Sequence, residues 1–243
     1  MNHRKRLAIA GLAIAAVLGA VAALAVGGAR DNDRLGLLTT LPIYWSEAND
    51  IGERLDGDAP PHWARTALAA RYELVPLDTL ESDQLALLRK LLMAQPRPLS
   101  PSENVALDDW VRGGGTLLLF ADPLLTEHSR FAIGDRRRPQ DVVLLSPILA
   151  RWGLELRFDD EQGEGERIAG DSAVALPVHY PGELELKAGG FDSTCRIERA
   201  GLIAKCNIGR GTATIVADAA LLESDRENGA PTLETILDQT FRN

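Results

Sequence analysis

Histidine and cysteine are scarce in this chain, four and two among 243 residues, and their placing excludes most of the chemistry they support. His62, His128 and His179 each stand apart, none at metal-ligand spacing from another histidine or a cysteine. They read as surface or packing residues. No G-x-S-x-G stretch offers a serine on a strand-to-helix elbow. The acidic stretch 159–171 (DDEQGEGERIAGD) lacks the alternating oxygen ligands, central glycine and terminal glutamate of an EF-hand loop. It reads as a solvated loop, and neither a metal nor any other cofactor is expected.

Positive charge is short as well. Setting aside Arg4, Lys5 and Arg6, 23 Lys and Arg stand against 35 Asp and Glu, a net of −12. A surface of that sign repels nucleic acid and anionic headgroups, so no nucleic-acid partner is expected. Arg136-Arg137-Arg138 is a local exception. Beside Asp135 and Asp141 it is either a clamp for a carboxylate or phosphate or a solvated loop.

Polar side chains are absent altogether from Leu7 to Val26, twenty residues of Ala, Leu, Val, Ile and Gly closed by Gly27-Gly28. At about 1.5 Å rise per residue the run is about 30 Å long, the thickness of a hydrocarbon core. A cleaved signal peptide competes, with Ala23-Leu24-Ala25 as its site, but such signals use an apolar stretch of roughly 7–15 residues. The longer run favours an uncleaved anchor over residues 7–28. Three basic residues before it and a mixed RDNDR after it keep residues 1–6 cytoplasmic. Residues 35–243 then form one extracytoplasmic α/β domain, periplasmic in a bacterium and held to the inner membrane by a single span. They are long enough for a substantial core.

The two cysteines flank CRIERAGLIAKC, two short strands about Ala200-Gly201. A symmetric hairpin turning there sets Cys195 opposite Cys206. Cβ atoms of opposite residues lie about 4.5–5.5 Å apart, near disulfide range. Outside the cytoplasm that pair oxidises, the alternative being two buried thiols.

Elsewhere strand and helix patterns alternate. Apolar strands are expected at 35–39, 72–77, 91–95, 116–121, 154–158 and 212–217, with helices at 62–70, 83–90, after 100, after 146 and at 231–241. Ser100-Pro101-Ser102-Glu103 is a capping box with proline at the first helical position. The segment 173–208 reads as a β-rich insertion. The whole predicts an open, mostly parallel sheet with helices on both faces.

Gly113-Gly114-Gly115 follows a helix and precedes a strand. Phosphate loops run in the opposite order, strand then glycines then helix, so that free N–H groups face the anion. These glycines therefore make a left-handed cap and a tight turn. The other end of the sheet holds the candidate site, because ligands of open parallel sheets bind beyond the carboxyl ends of the strands. Thr39, Thr40, Tyr44, Trp45, Gln95, Arg97 and Asp122 fall there, and Asp218 ends a further strand. Either they converge on one ligand-binding rim, or the aspartates cap turns and Trp45 packs under a loop.

The stretches GLLTTLPIYW, LLMAQPRPLSPSENVALDDWVRGGGTLLLFADP and GRGTATIVADAALL resemble the extracytoplasmic domain of gliding-motility-type auxiliary proteins of ABC-type transport systems. The likeness covers 36–123 and 209–222, roughly half of the outer domain. It implies a flavodoxin-like sheet similar to class I glutamine amidotransferases but without their catalytic apparatus, and an ABC-type permease or ATPase as partner. The residues agree on that absence, since Asp122-Pro123 stands at the matched strand end and both cysteines belong to the hairpin. Three readings follow. The first is a non-catalytic, membrane-anchored binding domain, and the second a hydrolase using Asp122 as base or metal ligand. The third is a structural module that docks a neighbour through a sheet edge or apolar patch.

Overall fold

The computed structural model describes residues 34–45, 47, 61–169, 175–223 and 226–242. The expected anchor at 7–28, and the first residues of the expected insertion, lie outside them. Among the described residues no helix is long and apolar enough to cross a membrane.

A seven-stranded sheet forms the centre. Its strands are β1 (Arg34–Thr39), β2 (Glu73–Pro76), β3 (Lys90–Ala94), β4 (Thr116–Phe120), β9 (Ser193–Glu198), β10 (Ile203–Ile208) and β11 (Gly211–Val216), in the order β2-β1-β3-β4-β11-β10-β9. The first five strands of that order are mutually parallel, while β10 and β9 continue the sheet antiparallel. Consecutive residues Leu117–Phe120 are all buried, so both faces of β4 are covered, as its continuous apolar run requires.

The helices are α1 (Trp63–Ala69), α2 (Ser82–Leu85), α3 (Pro101–Arg112), α4 (Ser146–Arg151) and α5 (Ala230–Phe241). They pack in two groups, α1 with α5, and α3 with α2 and α4. The capping box starts α3 as the sequence requires: Ser100 Oγ accepts from Glu103 N, and Glu103 Oε2 accepts from Ser100 N.

The glycine run ends α3. Gly114 adopts φ +112°, open to glycine and strained for other residues. A Cβ on Gly115 would lie 2.5 Å from the Trp110 ring, so the turn is packed shut against that indole.

The segment 173–208 departs from expectation. It is not one insertion, because its last two strands, β9 and β10, belong to the main sheet. Only β7 (Leu176–Val178) and β8 (Glu183–Leu186) leave it, pairing with β6 (Arg167–Ala169) and β5 (Leu154–Arg157) in two-stranded ladders. The strand expected at 154–158 is thus outside the main sheet too. Local alternation marks a strand but not its partner, and pairing here is decided by long-range packing. The hairpin turns at Ala200-Gly201, sets Cys195 opposite Cys206, and the disulfide is formed.

Candidate functional site

The parallel strands end on one rim, and the residues that follow them build a cleft there. One wall is the turn after β1, with Thr39, Thr40 and Trp45, joined by Arg97 from beyond β3. The other wall is the long connection after β4, which contributes Phe131 and Arg136, Arg137 and Arg138. The cleft encloses about 340 Å³. Trp45 is 71% exposed, an open aromatic face at its mouth.

Three of the four cleft arginines are already partnered. Arg137 meets Asp135 and stacks its guanidinium 4.2 Å from the Phe131 ring centre. Arg138 forks onto Asp141 and donates to Phe131 O. Arg97 grips both oxygens of Glu103 and reaches Asp78 O. The Arg97 hydrogen bonds, joined by backbone donors and opposed by burial, hold the Glu103 carboxyl down at about 2. No described carboxylate pairs with Arg136, which is exposed. The basic triplet, which from sequence reads chiefly as a solvated loop, is therefore part of a wall.

Other expected rim residues do not reach the cleft. Tyr44 turns under the Arg65 guanidinium, 4.4 Å from its ring centre, and meets Trp45 edge to face. Gln95 is fully buried with φ 44°. Its amide closes a circuit, with Nε2 donating to Asp122 O and Gln140 O while Oε1 accepts from Asp122 N. Thr40 Oγ1 donates to Gln95 O and accepts from Gln140 N, tying the β1 turn to the same knot. Gln95 therefore joins three strand exits from inside; a buried amide is satisfied by backbone where no water can reach it.

Asp122 is buried as well, and it is not alone. Val216 pairs with Phe120 in parallel register, so Asp218 and Asp122 stand at equivalent positions two residues beyond each strand end. Both are essentially without solvent contact, at 1% and 0%. Asp122 accepts from Leu124 N and Ala219 N, and Asp218 from Ala220 N and His179 N. Each carboxylate thus makes a local turn and a cross-link to another segment. Burial pushes Asp122 up to about 7, with Glu223 nearby adding to the rise and the two backbone donors opposing it. Burial and the Asp122 charge push Asp218 well above its ordinary range. The sequence signal for this pair is the repeated phrase FAD and VAD at two buried strand ends.

Another buried acid, Asp108 on α3, carries no local mark in the sequence. It gathers Arg112, Arg151 and the Trp152 indole N–H. Burial pushes its carboxyl up, but those three donors outweigh it and the net shift is downward. Among the described residues no group of three or more His, Cys, Asp or Glu side chains is placed to hold a metal ion.

No family model matches the chain, and no curated protein does. Among solved structures, an exo-β-1,4-mannosidase from Opitutaceae bacterium strain TAV5 aligns over 84% of this chain and 35% of its own, at 14% identity and TM-score 0.49. A cytoplasmic protein from Salmonella typhimurium aligns over 86% of this chain and 98% of its own, at 10% identity and TM-score 0.46. A ThuA-like protein from Bacteroides uniformis aligns over 86% and 89%, at 9% identity and TM-score 0.41. The chain spans about a third of the length of the mannosidase. Likenesses of this strength assign it neither a family nor an activity.

Proposed function

We propose that the domain is a non-catalytic binding module, held at a membrane by the apolar run Leu7–Val26 and serving as an auxiliary component of an ABC-type transport complex. The sheet order and helix groups are compatible with the flavodoxin-like, glutamine-amidotransferase-like class that the motif resemblance implies. The observation that carries the reading is the division of labour at the rim. The open cleft is walled by an exposed indole, hydroxyls and guanidinium groups, with the carboxylates of Glu47 and Asp78 among them. The strand-end carboxylates on which the hydrolase reading rests, Asp122 and Asp218, are buried away from it with every oxygen engaged by backbone N–H groups. Of the carboxylates that line the cleft itself, Glu47 accepts from Ser129 Oγ and Arg130 N and Asp78 lies beside Arg97, an arrangement that suits recognition.

One observation favours a second reading, hydrolysis with Asp122 as base. Its carboxyl is raised to about 7 beside a second buried acid, and perturbed acids cluster at active sites. Structural networks perturb them equally, and a base must come within hydrogen-bond reach of the proton it takes.

The test is mild crosslinking of the intact, membrane-embedded protein followed by pull-down, with Asp122→Asn and Arg136→Glu variants alongside. An ABC-type permease or ATPase that co-purifies with wild type and Asp122→Asn, but is lost with Arg136→Glu, is the expected result. A small molecule or metal retained by wild type and lost with Asp122→Asn would overturn it in favour of the hydrolase.

A further inference from the structure

The two edges of the parallel sheet differ in charge, and the chain leaves the described domain from only one of them on its way to the apolar run. β1 begins at Arg34, and five residues (Ala29–Asp33) separate it from Gly28. A fully extended chain spans at most about 3.3–3.6 Å per residue, so the linker reaches roughly 20 Å. The amino edge of the sheet therefore stays within about that distance of wherever the apolar run ends. The cleft lies at the opposite edge, another strand length away.

The amino edge is also where basic side chains gather on an otherwise acidic domain. Arg34 opens β1, Arg71 and Arg89 precede β2 and β3, Lys90 opens β3, Arg112 and Arg151 end α3 and α4, and Arg210 precedes β11. Arg242 follows α5, whose last turn meets Arg71 through Asp238. Six carboxylates share this edge: Glu73, Asp108, Asp109, Asp192, Glu234 and Asp238. Asp108 is buried under Arg112 and Arg151, Asp238 is shared between Arg71 and Arg242, and Asp192 lies 3.7 Å from Arg112. Arg89 and Arg210 are exposed, and no described carboxylate pairs with either. The edge thus carries eight cations against six anions, on a domain whose net charge is strongly negative.

We propose that the amino edge of the sheet is a docking surface for anionic lipid headgroups, which sets the domain upright on the membrane with its cleft facing away. The proposal rests on the reading of Leu7–Val26 as a membrane span. Basic residues near an anionic leaflet are attracted individually, and the attraction fades within a Debye length, so a tether of this length keeps them in range. Acidic groups on the rest of the domain favour the same orientation by repulsion.

The experiment uses the full chain in vesicles of phosphatidylcholine, with or without phosphatidylglycerol, carrying a headgroup-labelled acceptor lipid. A donor dye is placed through Leu87→Cys, exposed at the turn before β3, or through Ile133→Cys, 87% exposed on the cleft loop. The expected result is stronger energy transfer from position 87 than from 133, and a further rise at 87 when phosphatidylglycerol is added. Reversing Arg89 and Arg210 to Glu should cut the docked-to-free ratio at least about fivefold for each cation lost and abolish that rise. Equal transfer from both positions, or a rise that survives the reversal, overturns the docking surface. Failure of the chain to float with the vesicles would instead remove the anchor reading, and the docking surface with it.

Discussion

Asp122 and Asp218 set two residues side by side that resist ionising together, and the consequence is a stability that runs against the usual trend with acid. The Asp122 carboxyl titrates at about 7 in the folded chain against an ordinary 3.8, so the folded state keeps a proton that the unfolded chain has released. Its contribution is unfavourable above pH 7 and improves as pH falls from 7 toward 4. His62 acts in the opposite sense over nearly the same window. Its Nδ1 accepts from Ala64 N at the start of α1, and burial lowers it to about 4 from 6.5. That contribution is complete above pH 6.5 and is lost as pH falls to 4. The two are separable by variants. In urea unfolding, wild type should gain stability relative to Asp122→Asn as the pH falls from 8 to 5; a difference that does not change with pH sinks the assignment. His62→Asn keeps a capping oxygen but cannot titrate. Its melting temperature should fall less between pH 7 and pH 5 than that of wild type. Glu103 carries a third prediction. It serves Leu80 N, Ser100 N and Arg97 at once, so Glu103→Ala should cost about 2–3 kcal/mol by denaturant titration. A loss under half of that would mean water takes over its donors.

Among the elements, those built from local rules were legible in the sequence and those built from partnership were not. The capping box, the prolines at helix starts, the glycine cap and the apolar run of β4 each declare themselves within a dozen residues, and the structure places all of them where the pattern puts them. Strands β5, β7 and β8 were legible as strands, but their exclusion from the sheet was not, because period-two alternation carries no partner's address; β6 falls in the acidic stretch read as a solvated loop and is a strand only through its pairing with β7. The rim was half legible for the same reason. Strand ends predict which residues arrive, whereas burial decides whether Gln95 and Asp122 face the cleft or the knot beneath it. At this scale Gly211 is the sharpest test. A Cβ there would lie 2.0 Å from Val111 O and 2.3 Å from Gly115 O, both backbone atoms that cannot swing away. Gly211→Ala should therefore destabilise by about 3 kcal/mol or more and lower the melting temperature accordingly. The Cys195–Cys206 bridge closes a separation of 11 residues within a hairpin already in register. Loop entropy sets an upper limit of about 3 kcal/mol on its contribution, so a Cys195→Ser/Cys206→Ser protein should still fold, with a lower melting temperature.

For the molecule as a whole, the sheet separates the two proposed tasks by about the length of a strand. Cations and the exit toward the apolar run sit at its amino edge, and the open cleft sits at its carboxyl edge. Substitutions at one edge should leave the other's readout untouched, so Arg136→Glu is expected to abolish partner capture without changing lipid-dependent transfer from position 87. The position of β1 adds a mechanical property. Any pull arriving through the linker enters at Arg34 and runs along the axis of a strand flanked on both sides, by four register pairs to β2 and five to β3. Force in that direction must shear all of these pairs together, whereas a pull across the ladder would open them one at a time. If Leu7–Val26 anchors the chain, as we propose, the domain is tethered at a point where it resists load, which would suit a part of a moving complex.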